Sequence, residues 1–289
     1  MSRSRAPKAS ASRKEHASSR PRPKRISFRE FLDTLQSSGR YVFTREEALA
    51  GLGLSQVALK NALWRLSKAG RVVSPRRGFH VIVPPEYRVA GSIPPSWIIR
   101  DLMTHLGRPY YVGLLSAAAL HGAAHQSPHE FQVVTDRALR AVKMGRARIV
   151  FVKKAHLGKT PTVAIRTPTG EIRISSPAAT ALDLVRYPDH SGFLSNVATV
   201  LKELAERLDG LALLRAAEAE GEVAYAQRLG YLLDRIGHAS LAEPLAEWIH
   251  AKSPRVTPLR PDRPITGAPR VPRWLVAVNE TIEVDGERG

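Results

Sequence analysis

Residues 55–83 read SQVALKNALWRLSKAGRVVSPRRGFHVIV, and this stretch decides the fold of the first part of the chain. Three leucines recur in it at helical spacing: Leu59, Leu63 and Leu66. Ser55 precedes them and is a residue type that caps helix starts, whereas Gly70 ends the pattern. RVVSP, RRG and FHVIV then follow as strand, turn and strand. The stretch therefore predicts a helix with one polar face, followed by a basic β-hairpin.

Two further helices are predicted before this stretch. Apolar residues recur at helical spacing over residues 26–35, and Gly39 ends that helix. The segment TREEALAG opens with a capping box, in which Thr44 is followed three residues later by Glu47. Helix, helix, turn, helix and hairpin together predict a winged helix-turn-helix over residues 26–90.

The third predicted helix presents a polar and basic face. With its leucines inward, six positions point outward: Gln56, Val57, Lys60, Asn61, Trp64 and Arg65. In helix-turn-helix modules such a helix lies in the major groove, where Gln and Asn pair with adenine and Arg pairs with guanine. Arg76 and Arg77 lie at the hairpin tip, where a wing meets phosphate or a minor groove. We therefore predict double-stranded DNA contacts from six residues: Gln56, Lys60, Asn61, Arg65, Arg76 and Arg77. The alternative is a winged helix that contacts only proteins, which would not need this face.

The charge of the chain favours a polyanionic partner. The formal net charge is +18 over 289 residues, and 43% of the residues are hydrophobic, which is ordinary for a globular protein. Residues 1–25 hold nine Lys/Arg and one acid without any apolar period, which predicts a disordered basic arm. The alternative is a tail that only keeps the protein in solution.

The sequence also bounds where the protein acts. No run of about 18 apolar residues exists, which predicts that nothing spans a membrane. The basic N-terminus has no apolar segment of the kind that a secretory signal contains. The sequence contains no cysteine, which excludes disulfides and thiolate metal sites and is compatible with a reducing compartment. We expect a cytoplasmic, nucleoid-associated protein.

A second domain is predicted after residues 84–96, whose two Pro-Pro pairs indicate a stiff linker. Over residues 91–250, strand patterns come first and helical patterns second, which predicts an α+β domain with a helical C-terminal half. Residues 251–289 are predicted to be a Pro/Arg-rich extended tail. The alternating apolar residues near its end would form an edge strand of the domain's sheet.

A second basic stretch lies within this domain. Residues 137–159 hold eight Lys/Arg and no acid. The pattern favours secondary phosphate contacts that extend the DNA footprint, over a face that is only solvated. The residues predicted to make them are Arg146, Arg148, Lys153 and Lys154.

The sequence predicts neither an enzyme nor a cofactor. There is no phosphate-binding Gly-rich loop, no G-x-S-x-G elbow and no H-E-x-x-H pattern. Three histidines are spaced four apart, His121, His125 and His129, but Pro128 breaks the helix that would align them. A satisfied helix-terminal cluster is therefore predicted, with no bound zinc. Asp183 and Arg186 are predicted to form an intrahelical ion pair rather than an active site.

Four stretches resemble the AbiEi-type antitoxins of bacterial type IV toxin–antitoxin systems. They are ALKNALWRLSKAGRVVSPRRGFHVIV at 58–83, YYVGLLSAAALHGAAHQSP at 110–128, ISSPAATALDLV at 174–185 and AQRLGYLLDRIG at 226–237. WLVAVNETI at 274–282 is similar as well. The resemblance implies a first domain that binds inverted repeats and represses its own operon. It also implies a second domain that counters a cognate nucleotidyltransferase toxin, without catalysis of its own.

The acidic charge of the helical half predicts a partner other than DNA. Residues 191–250 hold five basic and nine acidic residues, so DNA would repel them. They would suit a basic toxin surface through Glu203, Glu206, Glu218 and Glu220, unless they form an ordinary solvated face. Two other functions stay open at this point: a winged-helix regulator without a toxin partner, and a DNA-targeted nucleic-acid-processing enzyme. The latter would need a carboxylate cluster on the strands, where only Glu130, Asp136 and Glu171 are available.

Overall fold

The structure is a computed structural model that describes residues 26–123 and 128–283. The predicted basic arm of residues 1–25 lies outside the described residues. Ten α-helices are described: α1 (Phe28–Ser37), α2 (Arg45–Leu52), α3 (Gln56–Lys68), α4 (Ile99–Leu106), α5 (Leu114–Leu120), α6 (Pro177–Arg186), α7 (Phe193–Leu204), α8 (Gly210–Glu220), α9 (Val223–Arg235) and α10 (Glu243–Lys252).

Twelve strands accompany these helices in the described part of the chain. They are β1 (Val42–Thr44), β2 (Val72–Arg76), β3 (Phe79–Ile82), β4 (Tyr110–Val112), β5 (Phe131–Thr135), β6 (Val142–Met144), β7 (Ala147–Lys153), β8 (Thr162–Thr167), β9 (Gly170–Ser175), β10 (Thr257–Pro258), β11 (Arg270–Val271) and β12 (Val276–Ala277). The mixed α+β class predicted from the sequence is confirmed.

The N-terminal unit (residues 26–83) combines α1–α3 with an antiparallel sheet in the order β1-β3-β2. Each helix start is capped by a hydroxyl, since Ser27, Thr44 and Ser55 accept hydrogen bonds from backbone N–H groups in the first turn. The predicted capping box of Thr44 with Glu47 is present. Phe31, Leu32, Phe43, Leu52 and Leu59 fill the core between the helices and the sheet. This core fixes α3 with one face inward and the other in solvent.

The second domain is built on a six-stranded sheet in the order β6-β7-β5-β4-β9-β8. Strands β5 and β7 run parallel, as do β4 and β9, whereas the other neighbours are antiparallel. The segments FQVVT and RIVFVK, which are rich in β-branched residues, lie in β5 and β7. β8 and β9 form a hairpin whose turn lies between Thr167 and Gly170. Pro177 occupies the first turn of α6 after the cap at Ser176, a position that proline favours.

The two faces of this sheet pack against different elements. The face that carries Tyr111, Val134 and Val152 packs against the helices α5–α10. The opposite face, which carries Val133 and Ile149, packs against α4 and against the β-sheet of the N-terminal unit. The N-terminal unit and the second domain therefore share one apolar core.

The Pro-rich segment 84–96, predicted to be a stiff linker, packs into the shared core. It forms two short 3₁₀ turns, Pro85–Tyr87 and Pro95–Trp97, and Ile93 is fully buried in the shared core. The segment also lies against the β6–β7 turn, where Arg146 donates its backbone N–H to the Ala90 carbonyl at 2.9 Å. Proline restricts the backbone, but it does not prevent a segment from packing, and Ile93 supplies the apolar anchor.

The C-terminal segment does not join the six-stranded sheet, so the predicted edge strand is wrong. β12 lies between β10 and β11 in a separate small sheet that packs on the helical layer. Trp274 is fully buried there and donates from Nε1 to Asp234 Oδ2 at 2.6 Å. Its ring lies directly over Gly230 in α9, where a Cβ would overlap it. The indole attaches the tail to the helices.

None of the helices in the described part of the chain is both long and apolar enough to cross a bilayer.

Candidate nucleic-acid interface

The exposed face of α3 has an apolar centre and a polar margin. Leu59 is the fully buried residue of this helix. At 3.6 residues per turn, the positions opposite Leu59 are Val57, Asn61, Trp64 and Lys68. Val57 and Trp64 are 69% and 63% exposed. Large apolar side chains at such exposure stand out, because the leucines of α3 are buried or partly buried.

The predicted DNA-contacting residues of α3 are all at the surface. Gln56, Lys60, Asn61 and Arg65 are exposed. Within the described residues, no carboxylate lies within ion-pair distance of Lys60 or Arg65. Their charges are therefore not neutralised internally, and this face carries a local positive potential.

Gln56 has a partner that the sequence did not predict. Arg45, the first residue of α2, donates from Nη2 to Gln56 Oε1 at 3.0 Å. A guanidinium only donates, so the amide oxygen must face it, and the amide NH2 of Gln56 is turned away. Gln56 can then donate to a base acceptor, while Arg45 occupies one of the two lone pairs of its amide oxygen. A bidentate adenine contact by Gln56 would have to share that oxygen with Arg45.

The β2–β3 hairpin presents Arg77 while it holds Arg76. Arg77 and Gly78 form the turn, and the Arg77 side chain is exposed. Arg76 ends β2, is partly buried and donates from Nη2 to the Arg140 carbonyl in the second domain. His105 in α4 donates from Nε2 to the Arg77 carbonyl at 3.1 Å. The hairpin is thus fixed against the second domain, and Arg76 is engaged in that contact.

A buried histidine lies beneath the gap between α3 and the hairpin. His80 in β3 pairs through Nδ1 with Ser74 Oγ at 2.7 Å, and its Nε2 has no partner among the described residues. Burial lowers the pKa of His80 to about 4, with smaller opposing effects from the charges of Glu46 and Arg45. The imidazole is therefore neutral at physiological pH, and the positive potential here comes from the arginines and lysines.

The four residues predicted to make secondary phosphate contacts do not form one surface. Arg146 lies in the turn between β6 and β7 and is exposed. Arg148 and Lys153 are five residues apart in β7, so their side chains leave opposite faces of the sheet. Arg148 also pairs with Glu130 at 3.1 Å. Arg146 and Arg148 lie two residues apart, in the β6–β7 turn and at the start of β7, whereas Lys153 lies at the other end of that strand.

Lys154 is buried, and its predicted phosphate contact is corrected. Its Nζ lies 2.7 Å from Asp183 Oδ1 and 2.7 Å from Glu220 Oε2, and its side chain is 3% exposed. Tyr111 donates its hydroxyl to Asp183 Oδ2 at 2.8 Å, and Arg186 pairs with Glu220. The expected Asp183–Arg186 pair is therefore replaced by two pairs to other elements. These contacts join β4, β7, α6 and α8 beneath the helical layer, and we call these five residues the buried ionic cluster.

The buried ionic cluster also corrects one predicted toxin contact. The side chain of Glu220 is 7% exposed and has two cationic partners, so it does not face solvent. Glu206 and Glu218 are exposed as expected, and Glu203 is partly buried. The acidic surface of the helical half is smaller than the sequence suggested.

The histidines at 121 and 129 have different surroundings in the structure. α5 ends at Leu120, and His121 follows as its C-cap, with Nε2 donating to the Ser175 carbonyl at 2.8 Å. Burial lowers the pKa of His121. His129 is exposed, and His125 lies outside the described residues. His121 thus has the helix-terminal, hydrogen-bonded role that was predicted for it.

The strand carboxylates are separated and paired. Glu130 pairs with Arg148, whereas Asp136 and Glu171 approach Arg108 and Arg166 at 3.6 and 3.8 Å. Glu130 and Asp136 stand at opposite ends of β5, about 20 Å apart at the usual rise per residue. The residues that the structure describes contain no group of three or more His, Cys, Asp or Glu able to hold a metal ion.

With this geometry in place, comparison with known proteins identifies the second domain. Residues 111–235 match the family model described as the AbiEi antitoxin C-terminal domain. The match shows an AbiEi-type antitoxin domain over these residues. The matched AbiEi segment runs from Tyr111 in β4 to Arg235 at the end of α9, and it includes the whole buried ionic cluster. It excludes α3 and the β2–β3 hairpin, so the family match does not extend to the candidate interface.

Solved structures extend the fold likeness beyond the AbiEi segment. The crystal structure of the RV2827C protein from Mycobacterium tuberculosis superposes with a TM-score of 0.61 at 17% identity, covering 85% of this chain and 89% of that chain. An antigenic nucleotidyltransferase-like protein from Paracoccidioides brasiliensis gives a TM-score of 0.34 at 8% identity, covering 51% of this chain and 89% of that one. None of the curated protein sequences matches the chain.

Two features of the interface were not predicted from the sequence. The first is the Arg45–Gln56 hydrogen bond, because residues 11 apart on different helices give no periodic signal. The second is the position of Val57 and Trp64 at the centre of the exposed face. The sequence predicted that both side chains point outward, but it assigned the DNA contacts to their polar and basic neighbours because those side chains can hydrogen-bond to bases.

Proposed function

We propose that this protein is an antitoxin that binds double-stranded promoter DNA, represses its own toxin–antitoxin operon at inverted repeats, and neutralises a cognate nucleotidyltransferase toxin. In this proposal the N-terminal unit is a winged helix-turn-helix, with α3 as recognition helix and the β2–β3 hairpin as wing. The AbiEi domain is the part that acts against the toxin. The protein is itself not an enzyme, needs no cofactor, and works in the cytoplasm at the nucleoid.

One observation carries the DNA-binding part of the proposal. The outer face of α3 holds Lys60, Arg65 and Lys68 without a carboxylate partner among the described residues. Three cations on one face without a paired carboxylate give it a positive potential, which favours a polyanion. The 13 residues of α3 span about 20 Å, and a helix with its side chains is about 10–12 Å wide. The major groove, about 12 Å wide, accommodates it.

The hairpin and the β6–β7 turn supply phosphate contacts in this proposal. Arg77 projects from the hairpin turn beside α3, and Arg146 and Arg148 project from the neighbouring β6–β7 region. Arg76 holds the hairpin to the second domain through Arg140, so it positions the wing as well as adding charge. Each phosphate neutralised should steepen the salt dependence of binding by about 0.9 in the log–log slope.

The antitoxin part rests on the AbiEi match and on the charge of the helical layer. A nucleotidyltransferase that acts on nucleic acid needs a basic surface, and Glu206 and Glu218 are exposed carboxylates that would complement it. Charge reversal of these two residues should weaken toxin binding in a pull-down. Full retention of the toxin by the reversed variant would remove these residues from the proposal.

Mobility-shift titration tests the DNA-binding part. Wild-type protein is titrated on DNA from upstream of its gene and on scrambled DNA at physiological salt. The variant Lys60→Ala/Arg65→Ala/Arg77→Ala should lose the specific complex, and it spares Arg76 so that the hairpin stays attached. The matched control is Arg166→Ala, which removes an exposed arginine from β8. Equal, salt-sensitive binding of wild type to both DNAs would contradict the proposal.

Co-expression tests the antitoxin part separately. A candidate nucleotidyltransferase toxin from the same genome is induced with and without this protein, and growth is followed. Restored growth supports neutralisation. Specific DNA binding without restored growth would favour a winged-helix regulator that has no toxin partner.

A further inference from the structure

We propose that Val57 reads the C5 methyl group of a thymine in the operator. The inference rests on the proposed function, because it assumes that α3 enters the major groove. It goes beyond that function by assigning a base and an atom to a side chain that carries no charge and no hydrogen-bonding group. The thymine methyl is the apolar group that the major groove displays, and an apolar side chain is its natural contact.

The position of Val57 suits this role. It is the second residue of α3, and recognition helices contact base edges with their N-terminal residues. At 69% exposure its two methyl groups face solvent in the free protein. Contact with the thymine methyl would remove that apolar surface from water, which is favourable. A polar residue would serve solubility better at this position if the position faced only water.

The neighbours of Val57 define the depression into which a base edge would fit. Between α3 and the hairpin lies an open cavity of about 360 Å³, lined in part by Arg45, Gln56, Val57, Lys60 and Gly78. Val57 forms an apolar side of this cavity, and Gln56 and Lys60 supply hydrogen-bond donors beside it. Because Gln56 is oriented by Arg45, the donor position is fixed relative to the Val57 methyl groups. A thymine presents its O4 acceptor next to its methyl group, so it matches a donor beside an apolar side chain.

Charge argues for DNA rather than a second copy of this chain on the same face. Lys60, Arg65 and Lys68 surround the apolar centre formed by Val57 and Trp64. Two copies that met through this face would bring these cations together without carboxylates to pair them. A phosphate-flanked groove instead places negative charge around the apolar contact.

The experiment replaces thymines by uracils in the operator, one at a time. This change removes a methyl group and keeps every hydrogen-bonding group. For wild type we expect one thymine per half-site whose replacement weakens binding about fourfold, the factor that burial of one methyl-sized group corresponds to. Val57→Ala should bind the thymine operator about as weakly as wild type binds the uracil operator. It should also lose the sensitivity to that uracil, whereas Val57→Thr, which keeps one methyl group, should retain part of it.

The control variant is Val163→Ala, which shortens an exposed valine on β8 and should keep the full thymine preference. Thermal unfolding of Val57→Ala checks that α3 is intact. Specific binding without any uracil-sensitive position, or a sensitivity that persists in Val57→Ala, would overturn the inference and leave the proposed function standing. Failure of wild type to prefer its upstream DNA would overturn both. Dissociation of a dimer by Val57→Ala/Trp64→Ala in sedimentation, without a uracil effect, would make this face a self-association surface instead.

Discussion

Replacing Lys154 by methionine should destabilise the protein strongly. Methionine is close in size to the aliphatic part of lysine, so little space opens, but the substitution removes the ammonium that lies 2.7 Å from both Asp183 and Glu220. Asp183 is fully buried and would keep only the Tyr111 hydroxyl. Burial and the Asp183 charge raise the pKa of Tyr111, so that hydroxyl stays protonated and cannot replace the lost cation.

The expected size follows from the cost of a buried charge without its partner, about 3–5 kcal/mol. For a protein of this length, each kcal/mol lowers the melting temperature by about 2–4 °C, so a decrease of about 6–20 °C is expected. The assay is thermal unfolding followed by circular dichroism, with a urea titration to check that the slope is unchanged.

The matched control is Arg148→Met, which breaks an ion pair with Glu130 whose side chains are about half exposed. Such pairs contribute about 0–1 kcal/mol, so this variant should lose at most about 4 °C. Equal shifts for the two variants would refute the reasoning, because they would mean that burial does not distinguish the two pairs.

Three further predictions concern other parts of the molecule. Gly230→Ala should lower stability by about 1–3 kcal/mol in urea unfolding, since the new methyl group would overlap the Trp274 ring, whereas Gly158→Ala, which has open space, should change little. His80, whose pKa is lowered to about 4, is harder to protonate in the folded state than in the unfolded state. The free energy of unfolding should therefore decrease as the pH falls from 6.5 towards 4. The decrease at pH 5 should be at most about 2 kcal/mol. A His80→Leu variant should lack that part of the pH dependence, and an unchanged dependence would contradict the assignment. Arg45→Ala should free Gln56 Oε1 and shift the base preference at one operator position towards adenine. Competition with single-base operator variants measures this shift. An unaltered preference would show that Arg45 does not orient Gln56.

Local signals in the sequence predicted local structure well. Ser55, Thr44 and Pro177 mark helix starts because capping and proline geometry act within one turn of the chain. The β-branched residues of β5 and β7 likewise indicate strands, and the order of the elements predicted the mixed class. The surface position of Lys60 and Arg65 followed from the leucine stripe on the other side of α3.

Contacts between distant residues were beyond the reach of these patterns. Lys154 lies in a run of basic residues that reads as one surface, yet its partners Asp183 and Glu220 are 29 and 66 positions away. The Pro-rich segment reads as a spacer because its composition hides Ile93, the residue that anchors it. The family resemblance included stretches of both domains, and the family match confirms it over residues 111–235. It could not reveal that Arg76 reaches across to Arg140.

The apolar core that the N-terminal unit shares with the six-stranded sheet limits how this protein can be divided. Phe79 and Val81 of β3 lie in that core together with Ile93 and residues of α4. A fragment cut at the proline pairs would expose these side chains to water on both pieces. The N-terminal unit therefore cannot be exchanged as a separate module. Moving it onto another protein, or removing it to study the remainder, requires the facing strands to be kept with it or the cut surface to be redesigned.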